Sequence, residues 1–420
     1  MESDPHPGAP IEIGRPRTLR IGMVCPYSVG VPGGVQGQAL GLARVLRTMG
    51  HEVRVLAPCD GPPPDTFVTP LGNSIPTAAN GSMAPIAPDP ACALRTIRAL
   101  HDESFDVLHL HEPLAAGPTM TALVLDVAPI VGTFHAAGYS ATYRFLTPYV
   151  RFMAERLDAR VVVCKDALDL AHRYMPGEYE VLFNGVEVGR YRDAEPFKAE
   201  HPTIFFCGRH EPRKGLGVLL DAMALLAPDV RCWVGSDGPE TEALKAKYAG
   251  DPRIEWLGRL SDEDKIARLK GASVFCAPSL HGESFGVVLI EALAAGTPVV
   301  ASALAGYRNV ATHDVDALLV EPGDVAALAA ALEAVLTDRV LAERLRHAGE
   351  RRAEQFSMEM LARRYVELYE RVIASDWQGR RREGDSALRR WLRRMLTVVT
   401  MFGNGGARRP GPLHRHKESS

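Results

Sequence analysis

Two glutamates, Glu283 and Glu291, lie eight residues apart in the stretch LHGESFGVVLIEALAAG. A helix is predicted to begin at Ser284, Phe285 and Gly286, so that Glu291 lies about two turns inside it. Free N–H groups at a helix start can bind an anion. Eight helical residues span roughly 12 Å, about the reach from a sugar ring across a diphosphate to a ribose. The spacing therefore suits Glu291 to a ribose and Glu283 to a sugar. In the alternative interpretation, Glu283 is an acid stabilised by the helix dipole, and Glu291 is a solvated helix residue.

A cluster of basic residues follows another apolar run, in the segment CGRHEPRKG. Arg209, Arg213 and Lys214 fall where the pattern predicts the start of a helix. Cations there oppose the helix dipole, so the positions suit an anion bound between them, and Arg and Lys are the side chains that bind phosphate. The segment is a candidate phosphate clamp, and the alternative is a solvated basic turn.

Both motifs lie in a chain that alternates apolar strands with helix-length segments. One series of strands runs from LRIGMVC to ARVVVC, and a second series runs from TIFFCG to TPVVAS. Continuous apolar strands separated by helices are typical of parallel sheets that are covered on both faces. The sequence therefore predicts an α/β protein with two facing Rossmann-like domains and a ligand cleft beyond the carboxyl ends of the strands.

The same pattern predicts the boundaries of the domains. The segments are a disordered lead at 1–18, a first domain at 19–190, a second domain at 191–356, a helix at 357–374 that crosses back to the first domain, and a basic tail at 375–420. Residues 58–90 contain nine prolines and interrupt the first domain as a long irregular loop. Such a loop inside a compact domain is usually functional or disordered.

The composition is that of a globular protein, with 420 residues of which 46% are hydrophobic and 24% charged. The sequence has no run of about 18 apolar residues and no apolar stretch at its N-terminus, so we expect neither a transmembrane helix nor a secretory signal. The seven cysteines are scattered singly. This scatter favours buried free thiols in a reducing cytoplasm over disulfides or metal ligands.

The net charge of −3 is unevenly distributed. From Ser375 onward eleven Arg and Lys face four Asp and Glu, a net of +7, so residues 1–374 carry −10. Within this tail, ALRRWLRRMLTVVTMF (387–402) places its apolar residues within about a 140° arc of a helix and its arginines opposite. The pattern is typical of a helix lying on an anionic membrane surface. The alternative is an amphipathic helix docked on the acidic body or on a protein partner.

The spacings Arg-x4-Lys (Arg209, Lys214) and Glu-x7-Glu (Glu283, Glu291), the second within GESFGxxxxEAxAxGxPVVAS, together resemble the retaining glycosyltransferases of the GT-B architecture. The resemblance covers about residues 19–373 and implies a nucleotide sugar bound between two Rossmann-like domains. Closer still, RIGMVCPYSVGVPGGVQ, FDVLHLHEP, TFH and APSLHGESFGVVLIEA are similar to the phosphatidyl-myo-inositol mannosyltransferases of actinobacteria. Those enzymes transfer mannose from GDP-mannose to the inositol of a membrane phospholipid.

The resemblance also implies roles for individual residues, in three groups. The donor-binding residues are Gly34 near the diphosphate, Arg209 and Lys214 as its clamp, Lys265 near the guanine, Ser284, Phe285 and Gly286 at the helix start, and Glu291 at the ribose. The catalytic residues at the reacting sugar are His135 and Glu283. The acceptor-binding residues, on the side of the first domain, are Tyr27, Gln36 and Asn80.

The expected function is that of a hexosyltransferase that acts on a phosphatidylinositol-type lipid and needs no cofactor or metal besides its nucleotide-sugar donor. It is expected to be cytoplasmic, bound peripherally to the inner face of the plasma membrane, with no nucleic-acid partner. The Asp-x-Asp spelled by Asp314 and Asp316 is interpreted as a turn rather than a metal site. Front-face transfer is favoured over double displacement because no side chain is clearly placed as a nucleophile.

Other functions remain open at this level. The segments NGSMAPIAP and TFHAAGYS lack the basic residues that the resembling enzymes carry there. The same fold acting with another nucleotide sugar, or on a different or soluble acceptor, is therefore the main alternative. A nucleotide-sugar epimerase and a catalytically silent sugar-nucleotide binder are weaker ones.

Overall fold

The computed structural model describes residues 17–79, 82–136, 140–283 and 285–375. In the first half the apolar runs form one parallel sheet of seven strands, with order β3-β2-β1-β6-β7-β8-β9. The strands β4 and β5 form a separate antiparallel pair. These strands are β1 (Arg20–Val24), β2 (Glu52–Ala57), β3 (Val68–Pro70), β4 (Ile75–Ala79), β5 (Ser82–Ile86), β6 (Val107–His111), β7 (Ile130–Phe134), β8 (Ala159–Val162) and β9 (Glu180–Val181).

Seven helices accompany these strands in the described residues up to 192. They are α1 (Gly34–Thr48), α2 (Pro90–Asp102), α3 (Pro118–Leu125), α4 (Ala141–Phe145), α5 (Thr147–Ala154), α6 (Lys165–Tyr174) and α7 (Val188–Arg192). Because helices cover both faces of the sheet, its central strands are buried along their whole length, as β6 and β7 are.

The second half repeats the design with a parallel sheet of order β12-β11-β10-β13-β14-β15. Its strands are β10 (Thr203–Cys207), β11 (Arg231–Gly235), β12 (Ile254–Gly258), β13 (Val274–Ala277), β14 (Val299–Ser302) and β15 (Leu318–Val320). Its helices are α8 (Leu216–Ala222), α9 (Thr241–Lys247), α10 (Asp262–Gly271), α11 (Val287–Ala294), α12 (Ala305–Arg308), α13 (Val325–Thr337) and α14 (Arg339–Glu354), with short 3-10 turns at Pro212–Lys214 and Met223–Leu225. The predicted α/β class with two Rossmann-like halves is confirmed.

The segment 58–90 is more regular than its prolines suggest. β3 extends the main sheet, since Val68 pairs with Val55 of β2. The hairpin of β4 and β5 is a separate two-stranded sheet that sets Pro76 opposite Pro85, and Ile86 bridges to Tyr27 just after β1. Proline is tolerated at such edges because no further strand needs its missing N–H group.

The last described helix, α15 (Met358–Ala374), returns to the first half. It starts where Ser357 bridges to Val186, and its buried residues Tyr365, Leu368 and Tyr369 join the apolar cluster under α1 and β1. The first half is thus completed by chain that follows the second half. None of the helices in the described ranges combines the length and the apolar character needed to span a membrane.

Candidate active site

The predicted site residues follow the carboxyl ends of strands in both sheets. His135 follows β7, Arg209 follows β10, and Glu283 follows β13 after a short loop. Two neighbouring residues of the connecting segment link the two sides. The ring of Phe183 stacks on that of Phe285 with 5.6 Å between centroids, and the side chain of Asn184 hydrogen-bonds to His135. The candidate residues therefore lie along the junction of the two halves, where open parallel sheets bind ligands.

Glu283 sits in a pocket of hydrogen-bond donors. One carboxylate oxygen, Oε1, accepts from Lys214 Nζ at 2.6 Å and from Ser279 Oγ at 3.0 Å, with Arg213 Nη1 at 3.4 Å. The side chains of Lys214 and Glu283 are only 18% and 11% exposed, so water screens the ion pair weakly. The predicted sugar-contacting acid and the predicted phosphate-binding lysine are thus direct partners.

The other clamp residue joins the same charge network. Arg209 Nε lies 2.9 Å from Glu211 Oε1, and Arg213 Nε lies 2.9 Å from Glu211 Oε2. Together with Lys214 and Glu283, the group has three cations and two carboxylates, a net charge of +1. A cluster with surplus positive charge at a strand end suits a phosphate-bearing ligand.

The helix after Glu283 starts later than the sequence predicted. Its cap is Gly286, with φ of 90°, and the helix begins at Val287, so Glu291 lies about one turn inside rather than two. The fold requires glycine there, because φ is left-handed and a Cβ would meet the Tyr307 ring at 2.8 Å. The side chain of Phe285 is buried against the rings of Phe183 and Phe356, so it packs in the interior. Ser284 lies outside the described residues.

Glu291 is also paired with a lysine. Its Oε1 accepts from Lys265 Nζ of α10 and from the Tyr191 hydroxyl of α7, both at 2.9 Å. Burial opposes the charge of Lys265, but the Glu291 carboxylate outweighs it and raises the lysine pKa. Lys265, predicted near the guanine, therefore contacts the predicted ribose-binding acid directly.

His135 is held on both sides of its ring. Its Nε2 lies 3.0 Å from Nδ1 of His111, and Asn184 hydrogen-bonds to it as well. Burial lowers the pKa of His135 to about 4, although the bond from Asn184 acts in the opposite direction. The ring is thus neutral at pH 7 and brings no positive charge to the cleft.

Glu112, which was not among the predicted site residues, holds the backbone at His135. It follows β6 with φ of 48°, and its Oε1 accepts from the backbone N–H groups of His135 and Ala136 at 2.7 and 2.6 Å. The side chain is buried, and burial raises its pKa to about 7 in spite of those two bonds. An acidic residue directly after the strand VLHLH was the available signal, because such positions line the cleft.

The predicted residues near the start of the first domain, Gly34 on the donor side and Tyr27, Gln36 and Asn80 on the acceptor side, are only partly described. Gly34 opens α1, and a Cβ there would meet no atom within 4 Å, which leaves room for a ligand beside the backbone. The Gln36 amide donates to the Ser28 and Val31 carbonyls at 3.4 and 3.2 Å and so supports the loop. Burial, and next the Glu112 carboxylate, raise the pKa of Tyr27. Asn80 lies outside the described residues.

The residues Asp314 and Asp316 form a turn. Asp314 has φ of 58° and pairs with Arg344, while Asp316 accepts from the Thr312 N–H at 2.7 Å. The carboxylates therefore have structural partners, which agrees with the interpretation of this motif as a turn.

Comparison with known proteins identifies the family. A phosphatidyl-myo-inositol mannosyltransferase of Mycobacterium leprae is 41% identical over 375 residues, which cover 85% of this chain and 98% of the relative. The chain belongs to the phosphatidyl-myo-inositol mannosyltransferase family. Family models agree, since "Glycosyltransferase Family 4" matches residues 32–190 and "Glycosyl transferases group 1" matches residues 188–352. This member of the mannosyltransferase family is therefore a glycosyltransferase.

Solved structures confirm the fold of this family member. Sucrose-phosphate synthase from Thermosynechococcus elongatus has a TM-score of 0.66 at 22% identity and covers 86% of this chain and 100% of its own. Anabaena HepE, crystallised with UDP and glucose, has a TM-score of 0.64 at 17% identity and covers 84% and 99%. At such identities the likeness establishes the GT-B architecture alone.

The buried Glu112 makes a prediction about stability and pH in this mannosyltransferase family member. Its pKa rises from 4.5 to about 7 on folding, so the folded state binds more protons between these values. The contribution of Glu112 to the free energy of unfolding is therefore fully present below pH 4.5 and is lost as the pH rises through about 7. The free energy of unfolding of the wild type minus that of Glu112→Gln should fall over this window by about 2–3 kcal/mol.

Urea unfolding of both proteins at several pH values measures this difference. Glu263→Gln is the control, because the Glu263 side chain is 79% exposed and its contact is a surface pair with Arg190. Its difference curve should stay flat. A flat curve for Glu112→Gln as well would mean that the buried carboxyl is not protonated preferentially in the folded state.

Proposed function

We propose that this glycosyltransferase transfers mannose from GDP-mannose to the inositol of a phosphatidylinositol-type lipid, with retention of configuration, at the inner face of the membrane. The relative from Mycobacterium leprae is named as a phosphatidyl-myo-inositol mannosyltransferase; it aligns over 85% of the chain and supports the sugar and the acceptor class. The observation that carries the donor site is the pair of lysine–glutamate contacts, Lys214 with Glu283 and Lys265 with Glu291, on either side of the start of α11.

In this proposal the donor lies along the site from Glu291 to Glu283. When a ribose binds at Glu291, its hydroxyls donate hydrogen bonds to the carboxylate. These bonds replace part of the contacts that Glu291 makes with Lys265 and Tyr191. The diphosphate then meets the first-turn N–H groups of α11, which have no intrahelical acceptors. Lys214 turns from Glu283 to the phosphate oxygens, and Glu283 is released to accept hydrogen bonds from the sugar.

The same residues act on the transition state. Negative charge grows on the leaving diphosphate as the glycosidic bond breaks, and Lys214 and Arg209 stabilise that charge without any metal. In the structure Glu283 Oε1 also accepts from Ser279 and Arg213. These donors remain when Lys214 turns to the phosphate, and they make the carboxylate a poor nucleophile. Attack of the acceptor hydroxyl on the face that the diphosphate leaves is therefore the favoured course.

A transfer assay tests the proposal. Purified protein is incubated with GDP-mannose, UDP-glucose or UDP-N-acetylglucosamine, and with phosphatidylinositol in vesicles or soluble inositol phosphate. We expect mannose on phosphatidylinositol with the anomeric configuration of the donor, which NMR of the product reports. Transfer from a UDP-sugar only, or an inverted product, would contradict the proposal.

A different acceptor is the second candidate, and the sequence of the acceptor side favours it. The segment 82–88 that contains β5 has no Lys or Arg, so no cation of that segment is available for the lipid phosphate. Efficient mannosylation of a glycolipid or of soluble inositol phosphate, with phosphatidylinositol ignored, would establish this candidate instead.

Membrane attachment is proposed from the sequence of the tail, because residues 376–420 lie outside the described residues. Deleting them should leave GDP binding unchanged and reduce binding to anionic vesicles. Each arginine near the surface contributes about 1 kcal/mol, and the loss should shrink at high salt. Co-sedimentation at several anionic lipid contents measures it, with neutral vesicles as the control. Equal binding by full-length and truncated protein would exclude the anchor.

A further inference from the structure

A row of three histidine rings runs from the interior of the first half to the candidate active site. His109 and His111 both lie on β6, and residues two apart on a strand share one face of the sheet. Their rings stack with 4.4 Å between centroids and 25° between planes. The ring of His111 stacks in turn on that of His135, at 5.3 Å and 23°.

The inner end of the row is fixed by α15. The Tyr369 hydroxyl lies 2.7 Å from His109 Nδ1, and Thr133 Oγ1 lies 2.8 Å from His109 Nε2. Thr133 is itself 2.9 Å from the Tyr365 hydroxyl. Both ring nitrogens of His109 are occupied and the site is buried, so the ring cannot turn without losing two buried hydrogen bonds.

The middle ring depends on its neighbours for its orientation. In the described part of the chain His111 has one hydrogen bond, which joins its Nδ1 to the Nε2 of His135. The other ring nitrogen of His111, Nε2, is buried without a partner among the described residues. A ring with a single hydrogen bond can rotate about it, and stacking on the fixed ring of His109 removes that freedom. The orientation set at α15 is thereby passed through His111 to His135.

The row is also electrically neutral. Burial lowers the pKa of His109 to about 3 and that of His135 to about 4, and it lowers the pKa of His111 as well. A neutral His111–His135 pair shares one N–H, so the tautomer of either ring decides that of the other. Asn184 interacts with the same ring, so His135 is held between His111 and Asn184.

We propose that Tyr365 and Tyr369 of α15 are positioning residues for sugar transfer, acting through Thr133, His109 and His111 to fix the orientation of His135. The kinetic part of this inference rests on the proposed function, in which His135 meets the reacting sugar. A helix that follows the second half in sequence would thus complete the catalytic side of the first half. Removal of the tyrosine hydroxyls should leave nucleotide binding intact, because the nucleotide is assigned to Lys265 and Glu291.

The test compares Tyr369→Phe and Tyr365→Phe with a matched control, Tyr179→Phe. Tyr179 is a partly buried tyrosine of the same half whose hydroxyl donates to the Met175 carbonyl at 2.7 Å, outside the row. Nitrogen-15 spectra of histidine-labelled protein report the tautomer of each ring, and His135→Ala identifies the His135 signals. We expect Tyr369→Phe to shift the signals of His109, His111 and His135, and Tyr179→Phe to leave them in place.

Kinetics give the second measurement. We expect kcat of mannose transfer to fall about tenfold in Tyr369→Phe, as for one lost hydrogen bond, with GDP affinity within about twofold of wild type. Shifts confined to His109, or full kcat with altered His135 signals, would overturn the inference. Loss of kcat equal to that of Tyr179→Phe would do the same. If Tyr369→Phe shifts the three histidine signals as expected but the wild type transfers no mannose, the proposed function would be overturned. The coupling of the rings would still be supported.

Discussion

Replacing Lys214 by alanine is expected to lower kcat/KM of sugar transfer by roughly 10²–10³-fold, the range found when a charge-stabilising group is removed from an active site. Lys214 makes the shortest contact in its cluster, 2.6 Å to Glu283. Its ammonium group can turn to a leaving diphosphate. The variant should also bind GDP more weakly, since the clamp acts in the ground state as well as in the transition state.

The variant also leaves Glu283 with fewer donors, so the loss must be separated from a disturbed fold. Lys245→Ala is the matched control, because Lys245 lies in the same half and forms an exposed pair with Glu242 at 3.4 Å. It should retain wild-type kinetics. Calorimetric titration with GDP and steady-state kinetics decide the matter. Wild-type affinity and turnover in Lys214→Ala would remove this residue from the clamp.

The sequence was sufficient for features that depend on local pattern. The two series of apolar runs predicted both parallel sheets, because a strand that is buried on both faces must be apolar throughout. The spacing of Arg209 to Lys214 and of Glu283 to Glu291 indicated the family, which the comparisons confirm. Each of these patterns lies within one short segment of the chain, so it can be recognised in the sequence without a structure.

Features that depend on packing between distant segments were missed. The start of α11 was predicted too early because Gly286 adopts a left-handed conformation and packs closely beside Tyr307, twenty-one residues further on. The pairing of Lys265 with Glu291 depends on how α10 lies beside α11. Likewise, the repeat VLHLH does indicate two histidines on one face of a strand, but it does not reveal that Tyr369 reaches one of them.

The two glutamates should separate when each is replaced by glutamine. Glu291→Gln is expected to weaken GDP binding by about 10- to 100-fold, since the ribose is part of GDP and Glu291 carries its predicted contact. The change also leaves the half-buried ammonium of Lys265 without its carboxylate partner, which adds to the cost. Calorimetric titration with GDP alone measures the effect without any acceptor.

Glu283→Gln is expected to behave in the opposite way. GDP lacks the sugar that Glu283 is predicted to contact, and the change removes the carboxylate that competes with phosphate for Lys214. GDP should therefore bind as tightly as to the wild type, or more tightly, while kcat of transfer falls by about 10²-fold. Glu263→Gln, at an exposed position of the same half, should change neither quantity. If Glu283→Gln and Glu291→Gln lost GDP affinity equally, both carboxylates would be serving the nucleotide. The predicted order of ribose, diphosphate and sugar from Glu291 to Glu283 would then be wrong.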